Sequence, residues 1–245
     1  MARQRLDTLL VKKGLAESRS KAQALILAGE VIADGKVFSH PAMLVTEKTT
    51  VQLLEKPLYV SRGGIKLISA LEQFNLDVAH KIAIDVGSST GGFTDCLLQR
   101  GVSRVYAIDV GYGQLDYRLR NDQRVAVMER VNARYPFFMP EKADLATIDL
   151  SFISAEKVIP NITRHLKKGG SLILLLKPQF EAGREEVGRG GVVKNPQVHA
   201  RVLGHLVAWA VSRNFRLGGL IPSPILGPAG NREFLIWLRC PEDTR

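Results

Sequence analysis

Lys177 stands at the end of an uninterrupted apolar run, Leu172 to Leu176, and is followed by Pro178. A run of this kind reads as a strand buried on both faces. Open α/β sheets bind their ligands beyond the carboxyl ends of such strands. The proline disfavours helical backbone at Lys177 and keeps it extended. Three further polar residues occupy comparable places. Asp149 ends the segment "DLATID", Glu233 opens "EFLIWL", and Lys66 lies about one turn into a helix expected to start at Ser61. Two lysines and two carboxylates at converging element ends suit proton transfer. A lysine kept neutral by desolvation or by a second cation is a base, which makes Lys177 the base and Lys66 the second cation. Asp149 and Glu233 would orient the pair and balance its charge. Each residue alone is as well explained by a surface ion pair. Their joint placement points to a site.

The second chemical feature is "DVGSSTGGFTD", which follows one expected strand and opens a helix. Glycines admit a ligand close to the backbone, and a helix N-terminus offers free N–H groups. The spacing from Gly87 is G-S-S-T-G-G, which fits neither a dinucleotide fingerprint nor a P-loop. Asp85 precedes the first glycine, Asp109 ends the second strand, and Glu129 sits at the tip of the third. These acids suit a ligand carrying an ammonium group, ribose hydroxyls and a base, as S-adenosylmethionine does. The expected cofactor contacts are Asp85, Gly87, Ser88, Ser89, Gly91, Gly92, Asp109, Val110 and Glu129.

From residue 80 onward the chain alternates strand and helix. Strands are expected at 81–87, 104–111, 124–130, 144–152 and 171–177, and helices at 91–101, 153–170 and 196–215. Two closing strands follow. This alternation predicts a parallel, doubly wound sheet.

Residues 1–55 read as a separate unit. Leu6, Leu9, Leu10 and Leu15 have helical spacing, Gly14 stops the helix, Ser18 caps a second one, and Gly29 ends that. Asp34-Gly35 marks a hairpin, and "VQLLE" supplies a further strand. Residues 56–62 are expected as a tether, and 63–245 as the larger domain.

The chain has 245 residues and a formal net charge of +10. Such a balance points to a polyanionic partner. The basic residues expected on phosphates are Arg3, Arg5, Lys12, Arg19 and Lys21 near the start, Arg62, and Arg189 and Lys194 in the glycine-rich segment after Lys177. The two cysteines and five histidines have no ligand spacing, so no metal is expected. The absence of a disulfide framework, of a signal sequence and of an apolar span suggests a cytoplasmic protein with no stable membrane association.

Several quoted segments together carry a resemblance. "RLDTLLVKKGLAESRSKAQALILAGEVIADGKVF" resembles the S-four-type RNA-binding domain. Lys66, Asp149, Lys177 and Glu233 match in order and context the Lys-Asp-Lys-Glu tetrad of FtsJ-type ribose 2′-O-methyltransferases. With "YVSRGGIKL", "TIDLSFIS", "LLLKPQFE", "GRGGVVKNP" and "GNREFL", the chain is identified as a member of the TlyA (hemolysin A) family. The resemblance implies a Rossmann-like S-adenosylmethionine-dependent methyltransferase sheet with a small N-terminal α+β RNA-binding domain. It implies transfer of a methyl group to a cytidine 2′-hydroxyl of ribosomal RNA. Family members acting on both 16S and 23S rRNA tend to be longer at both ends. The short termini here therefore lean toward 23S rRNA in the 50S subunit, with the 30S subunit as a second candidate. Three other readings compete: a nicotinamide-dependent oxidoreductase, a non-catalytic ribosome assembly factor, and a membrane-lytic protein.

Overall fold

The computed structural model describes residues 3–54 and 57–242. Lys56, where the tether was expected to begin, lies outside them. The chain divides into two compact units, residues 1–57 and 58–245.

The first unit comprises β1 (Arg3–Arg5), α1 (Leu6–Lys12), α2 (Arg19–Leu27), β2 (Val31–Ala33), β3 (Lys36–Val37), β4 (Leu44–Thr46) and β5 (Val51–Leu53). Leu6, Leu9 and Leu10 fall on one face of α1 and are fully buried against Ala22 and Ile26 of α2. Ser18 Oγ accepts from the Lys21 N–H and so caps α2. Asp34 and Gly35 both take positive φ, as a type I′ hairpin turn requires. Strand β5 pairs with β2 on the side away from β3. The pairing of β1 with β4 is not visible in the sequence, because three-residue strands carry no usable period.

Asp7, on α1, is the buried charge of this unit. Its carboxylate is fully enclosed and accepts from Arg5, Arg19 and Gln23. The bond from Arg5 is the largest of the effects that hold the Asp7 carboxyl well below the usual carboxylate range.

The second unit contains α3 (Gly63–Gln73), β6 (Ile82–Val86), α4 (Gly92–Gln99), β7 (Arg104–Asp109), α5 (Tyr117–Arg120), β8 (Val125–Glu129), β9 (Ala143–Ile148), α6 (Ile159–Thr163), β10 (Leu166–Leu176), α7 (Pro196–Ser212), β11 (Arg216–Pro222) and β12 (Phe234–Arg239). Seven strands form one sheet in the order β11-β12-β10-β9-β6-β7-β8. Strand β12 runs antiparallel to both its neighbours, and the other six strands are mutually parallel. The sheet is the expected doubly wound one, parallel but for that one closing strand. Helices cover both faces, and the run 172–176 alternates between them. Leu172, Leu174 and Leu176 join the core shared with α6 and α7, while Ile173 and Leu175 join the core shared with α3 and α4.

The expected helix over 153–170 is corrected. That segment gives a short 3₁₀ turn, the five-residue α6, and then strand. Pro160 is tolerated because it lies in the first turn, where its missing N–H has no partner to lose. Gly169, with φ of +67°, lies where the pairing of β10 with β9 shifts register between Leu166 and Ser171. Residues 58–62, read as a tether, belong to the second unit's packing. Tyr59 is buried, the Val60 N–H donates to Asp95, and Gln99 donates to the Leu58 carbonyl.

The Asp7 cluster gives a signed prediction. A carboxyl held low in the fold contributes stability that is present above its unfolded value, about 3.9. That contribution is lost as pH falls through the lower folded value. Asp7→Asn should therefore speed hydrogen exchange across α1 and α2 in the full chain at pH 7. The difference from the wild type should shrink steadily as the pH is taken from 5 toward 2. A difference that is constant with pH would mean that packing rather than charge holds the cluster.

Candidate active site

The crevice lies where the order of the strand connections reverses, between the parallel strands β6 and β9, at the carboxyl ends of the sheet. Asp149 and Lys177 are the residues that follow β9 and β10. Glu233 immediately precedes β12, and because β12 is reversed its start lies at this same end of the sheet. Lys66 comes from the first turn of α3. The structure brings all four to one cavity of about 230 Å³.

Within the cavity the four form two pairs. Lys66 Nζ donates to Glu233 Oε2 at 2.5 Å, with side chains only 8% and 1% exposed. Lys177 Nζ lies 2.6 Å from Asp149 Oδ1 and donates to Ser151 Oγ at 3.1 Å. Asp149 Oδ1 is buried and receives no well-directed hydrogen bond, so its contact with Lys177 is one of charge. Each lysine is thus matched by its own carboxylate. The sequence reading has Asp149 and Glu233 balance the two lysines jointly; the structure assigns Glu233 to Lys66 and Asp149 to Lys177.

The glycine-rich loop is shaped by the protein itself. Gly87 has φ of +80°, and a side chain there would meet the Asp149 carbonyl at 2.3 Å. At Gly92 a side chain would meet Ser61 Oγ at 2.2 Å and the Gly64 nitrogen at 3.1 Å. These two positions let the loop after β6 touch the loop after β9, and let α4 start against α3. Gly87, Ser88, Ser89 and Gly92 line the cavity; Gly91, at the N-cap of α4, does not.

A second cleft of about 460 Å³ adjoins the first through Gly87, Ser89 and Asp149. Val110, Val131, Ile153 and Val158 give it apolar walls, and Asp109 and Asn132 give it polar ones. Asp109 accepts from the N–H groups of Ser89 at 2.8 Å and Gly111 at 2.7 Å. Each of its oxygens keeps a second lone pair for a ligand hydroxyl.

Besides Gly91, two expected cofactor contacts, Asp85 and Glu129, line neither cavity. Asp85 is fully buried under the loop and lines neither cavity. It accepts from Thr94 at 2.6 Å and Thr147 at 3.0 Å, and burial pushes its carboxyl up to about 6. It fixes the loop from below. Glu129 ends β8, but its carboxylate is taken by the Gly113 N–H and by Arg120, and it too lies outside both cavities. Sequence reasoning did not single out Ser151, Asn132, Phe152 or Pro228, all of which line the crevice. Ser151 and Phe152 lie inside "TIDLSFIS", a segment whose value was seen only as a whole.

The basic residues are dispersed. Arg62 lines the catalytic cavity. Arg189 and Lys194 are exposed, and Arg189 sits at the tip of a turn closed by pairing of Gly188 with Val192. In the first unit Arg3 and Lys21 are exposed, and Lys12 pairs with Glu47. Arg5 and Arg19 bond Asp7 yet stay 38% and 56% exposed. Among the described residues no cluster suited to a metal ion occurs, and no helix is long and apolar enough to cross a membrane.

Sheet order, crevice and paired lysines define a methyltransferase. The FtsJ-like methyltransferase family matches residues 59–240, and the S4 domain matches residues 4–51. The chain therefore belongs to the FtsJ-like methyltransferase family and carries an S4 domain at its N-terminus. It is 44% identical over 245 residues to the 16S/23S rRNA (cytidine-2′-O)-methyltransferase TlyA of Mycobacterium tuberculosis, covering 98% of this chain and 91% of that one. The 23S rRNA (cytidine-2′-O)-methyltransferase TlyA of Campylobacter jejuni is 32% identical over 247 residues, covering 93% and 96%. A solved structure from Streptococcus thermophilus that bears a provisional hemolysin name superposes with a TM-score of 0.75. It is 44% identical and covers 100% of this chain and 90% of that one. The oxidoreductase reading is set aside by the family match.

Asp85 supplies a prediction here. A carboxyl raised in the fold contributes stability that is present below its unfolded value and lost as pH rises through the folded one. The window is about pH 4 to 6. Asp85→Asn should thus gain on the wild type in thermal stability between pH 4 and 7, by on the order of 2 kcal/mol. Thermal unfolding of both proteins across that range checks it. A gap that does not move with pH would show that the Asp85 carboxyl titrates in the fold as it does in the unfolded chain.

Proposed function

We propose that this protein methylates the 2′-hydroxyl of a cytidine in ribosomal RNA, with S-adenosylmethionine as methyl donor. The observation that carries the reading is one cavity lined by Lys66, Asp149, Lys177 and Glu233, opening into an apolar cleft with a carboxylate on its wall. The cleft fits the cofactor by chemistry. Its apolar sides suit a purine, Asp109 suits a ribose diol, and Asp149 at the junction suits a cation.

When bound, the cofactor supplies an electrophilic methyl group on a sulfonium. A ribose hydroxyl is a weak nucleophile until its proton leaves. Lys177 Nζ would take that proton from the hydroxyl as its oxygen receives the methyl group. Asp149 holds Lys177 in place and balances the charge it gains. The Lys66–Glu233 pair fixes the opposite wall. General-base assistance contributes roughly 10²–10⁴-fold, and alignment supplies much of the rest. Arg62 at the cavity, Arg189 and Lys194 beyond it, and Arg3, Arg5, Lys12, Arg19 and Lys21 of the S4 unit provide the phosphate contacts.

The substrate is proposed to be the 50S subunit, with the 30S subunit as the second candidate. The relative named for both rRNAs is more similar than the one named for 23S rRNA alone, at 44% against 32%. The lean toward 23S rRNA alone therefore gains no support from identity. A cytoplasmic site of action follows from a ribosomal substrate.

Transfer of radiolabelled methyl to unmodified 30S and 50S subunits tests this reading. Label is expected in the 50S subunit, with Lys177→Ala lowering the rate by at least a hundredfold while cofactor still binds. Label in both subunits would extend the specificity. Label in neither, with cofactor bound, would leave the assembly-factor reading.

A further inference from the structure

The reaction needs more of Lys177 than position. A neutral amine has two N–H bonds and one lone pair, and only the lone pair accepts a proton. The amine also rotates freely about its Cε–Nζ bond. The charge contact with Asp149 fixes where the nitrogen sits. It fixes rotation poorly, because Oδ1 receives no well-directed hydrogen bond. Among the described residues, the single directed hydrogen bond from Lys177 Nζ goes to Ser151 Oγ at 3.1 Å.

The loop that carries Ser151 is held for this purpose. Phe152 is next in the chain and has φ of +65°, a left-handed conformation uncommon for a bulky residue. Its ring is 91% exposed, with its centroid 4.9 Å from that of Phe180, in the 3₁₀ turn directly after Lys177. At the far end of the loop the Ala155 N–H donates to Glu181 Oε1 at 2.8 Å, from that same following segment. The loop after β9 is thereby pinned at Ala155 to the chain that bears the lysine, and Ser151 lies between Asp149 and that pin.

We propose that Ser151 is a positioning residue that sets the rotation of the Lys177 amine. One N–H points to Ser151 Oγ and the other lies against Asp149. The lone pair then faces the cavity, where the proton of the ribose hydroxyl is received at Nζ. This rests on the methyl-transfer reading above, and its test separates the two.

Ser151→Ala and Ser151→Thr are compared with wild type and Lys177→Ala on whichever subunit the wild type labels. Ser151→Ala should lower kcat about tenfold, the effect of losing one neutral hydrogen bond, with KM for cofactor and subunit unchanged. Ser151→Thr, which keeps the hydroxyl, should restore most of the rate. A Ser151→Ala enzyme with wild-type kcat, beside an inactive Lys177→Ala, overturns the inference and leaves the reaction assignment intact. A loss expressed as a raised cofactor KM also overturns it, by placing Ser151 in the cofactor cleft alone. A second readout needs no substrate. The Lys177 Nζ protons, followed by nitrogen-15 NMR, should exchange with water faster in Ser151→Ala than in the wild type, and equal rates would sink the idea.

Discussion

The ion pair between Lys66 and Glu233 is the constraint on which the second unit turns. Both side chains are removed from water, and neither charge is tolerable there without the other. Leaving one alone would cost about 3–5 kcal/mol. The partners are 167 residues apart, so the pair joins the first helix of the unit to its last strand. Other features follow from that need. Helix α3 must start against α4, which only a glycine at position 92 permits. The chain must bring Glu233 to the crevice, which the reversal of β12 achieves by putting the beginning of that strand where its neighbours end. Asp149 and Lys177 then complete the wall from β9 and β10.

Much of this is legible in the sequence because the signals are local and strong. An apolar run ending in Lys-Pro marks a buried strand with its lysine at the mouth. Ser18, Gly14 and Asp34-Gly35 mark caps and turns whose chemistry allows few alternatives. What escaped depends on partners distant in the chain. The β1–β4 pairing rests on two three-residue strands without a period. Strand β10 begins at Leu166, within a segment that reads as helix, because its pairing with β9 overrides local preference. Asp85 was taken for a ligand contact because an acid before a glycine loop suits one. Its burial between Thr94 and Thr147 is set by the sheet, and the hydroxyl donors come from two different elements. The pairing of each lysine with its own carboxylate was equally out of reach, since residue order does not say which acid meets which base.

The first unit shows the same economy of charge at smaller scale. Asp7 draws Arg5, Arg19 and Gln23 together, so α1 and α2 are tied by an acid at their seam as well as by leucines. The two arginines keep exposed faces, and one residue thereby serves the fold and aims two cations outward.

The catalytic cavity encloses two lysines and two carboxylates as two ion pairs, in a chain whose formal net charge is +10. The attraction of this protein for a polyanion therefore resides outside those pairs, on Arg62 at the cavity and on side chains bathed in counterions. The chemistry resides inside, on pairs shielded from them. Ionic strength acts on these two places differently. Added salt weakens the grip on the nucleic acid steeply, as released counterions regain less entropy. It leaves the geometry and the mutual attraction of the enclosed pairs almost untouched. Capture and turnover in this architecture are separate dials, and the ionic medium reaches only the first.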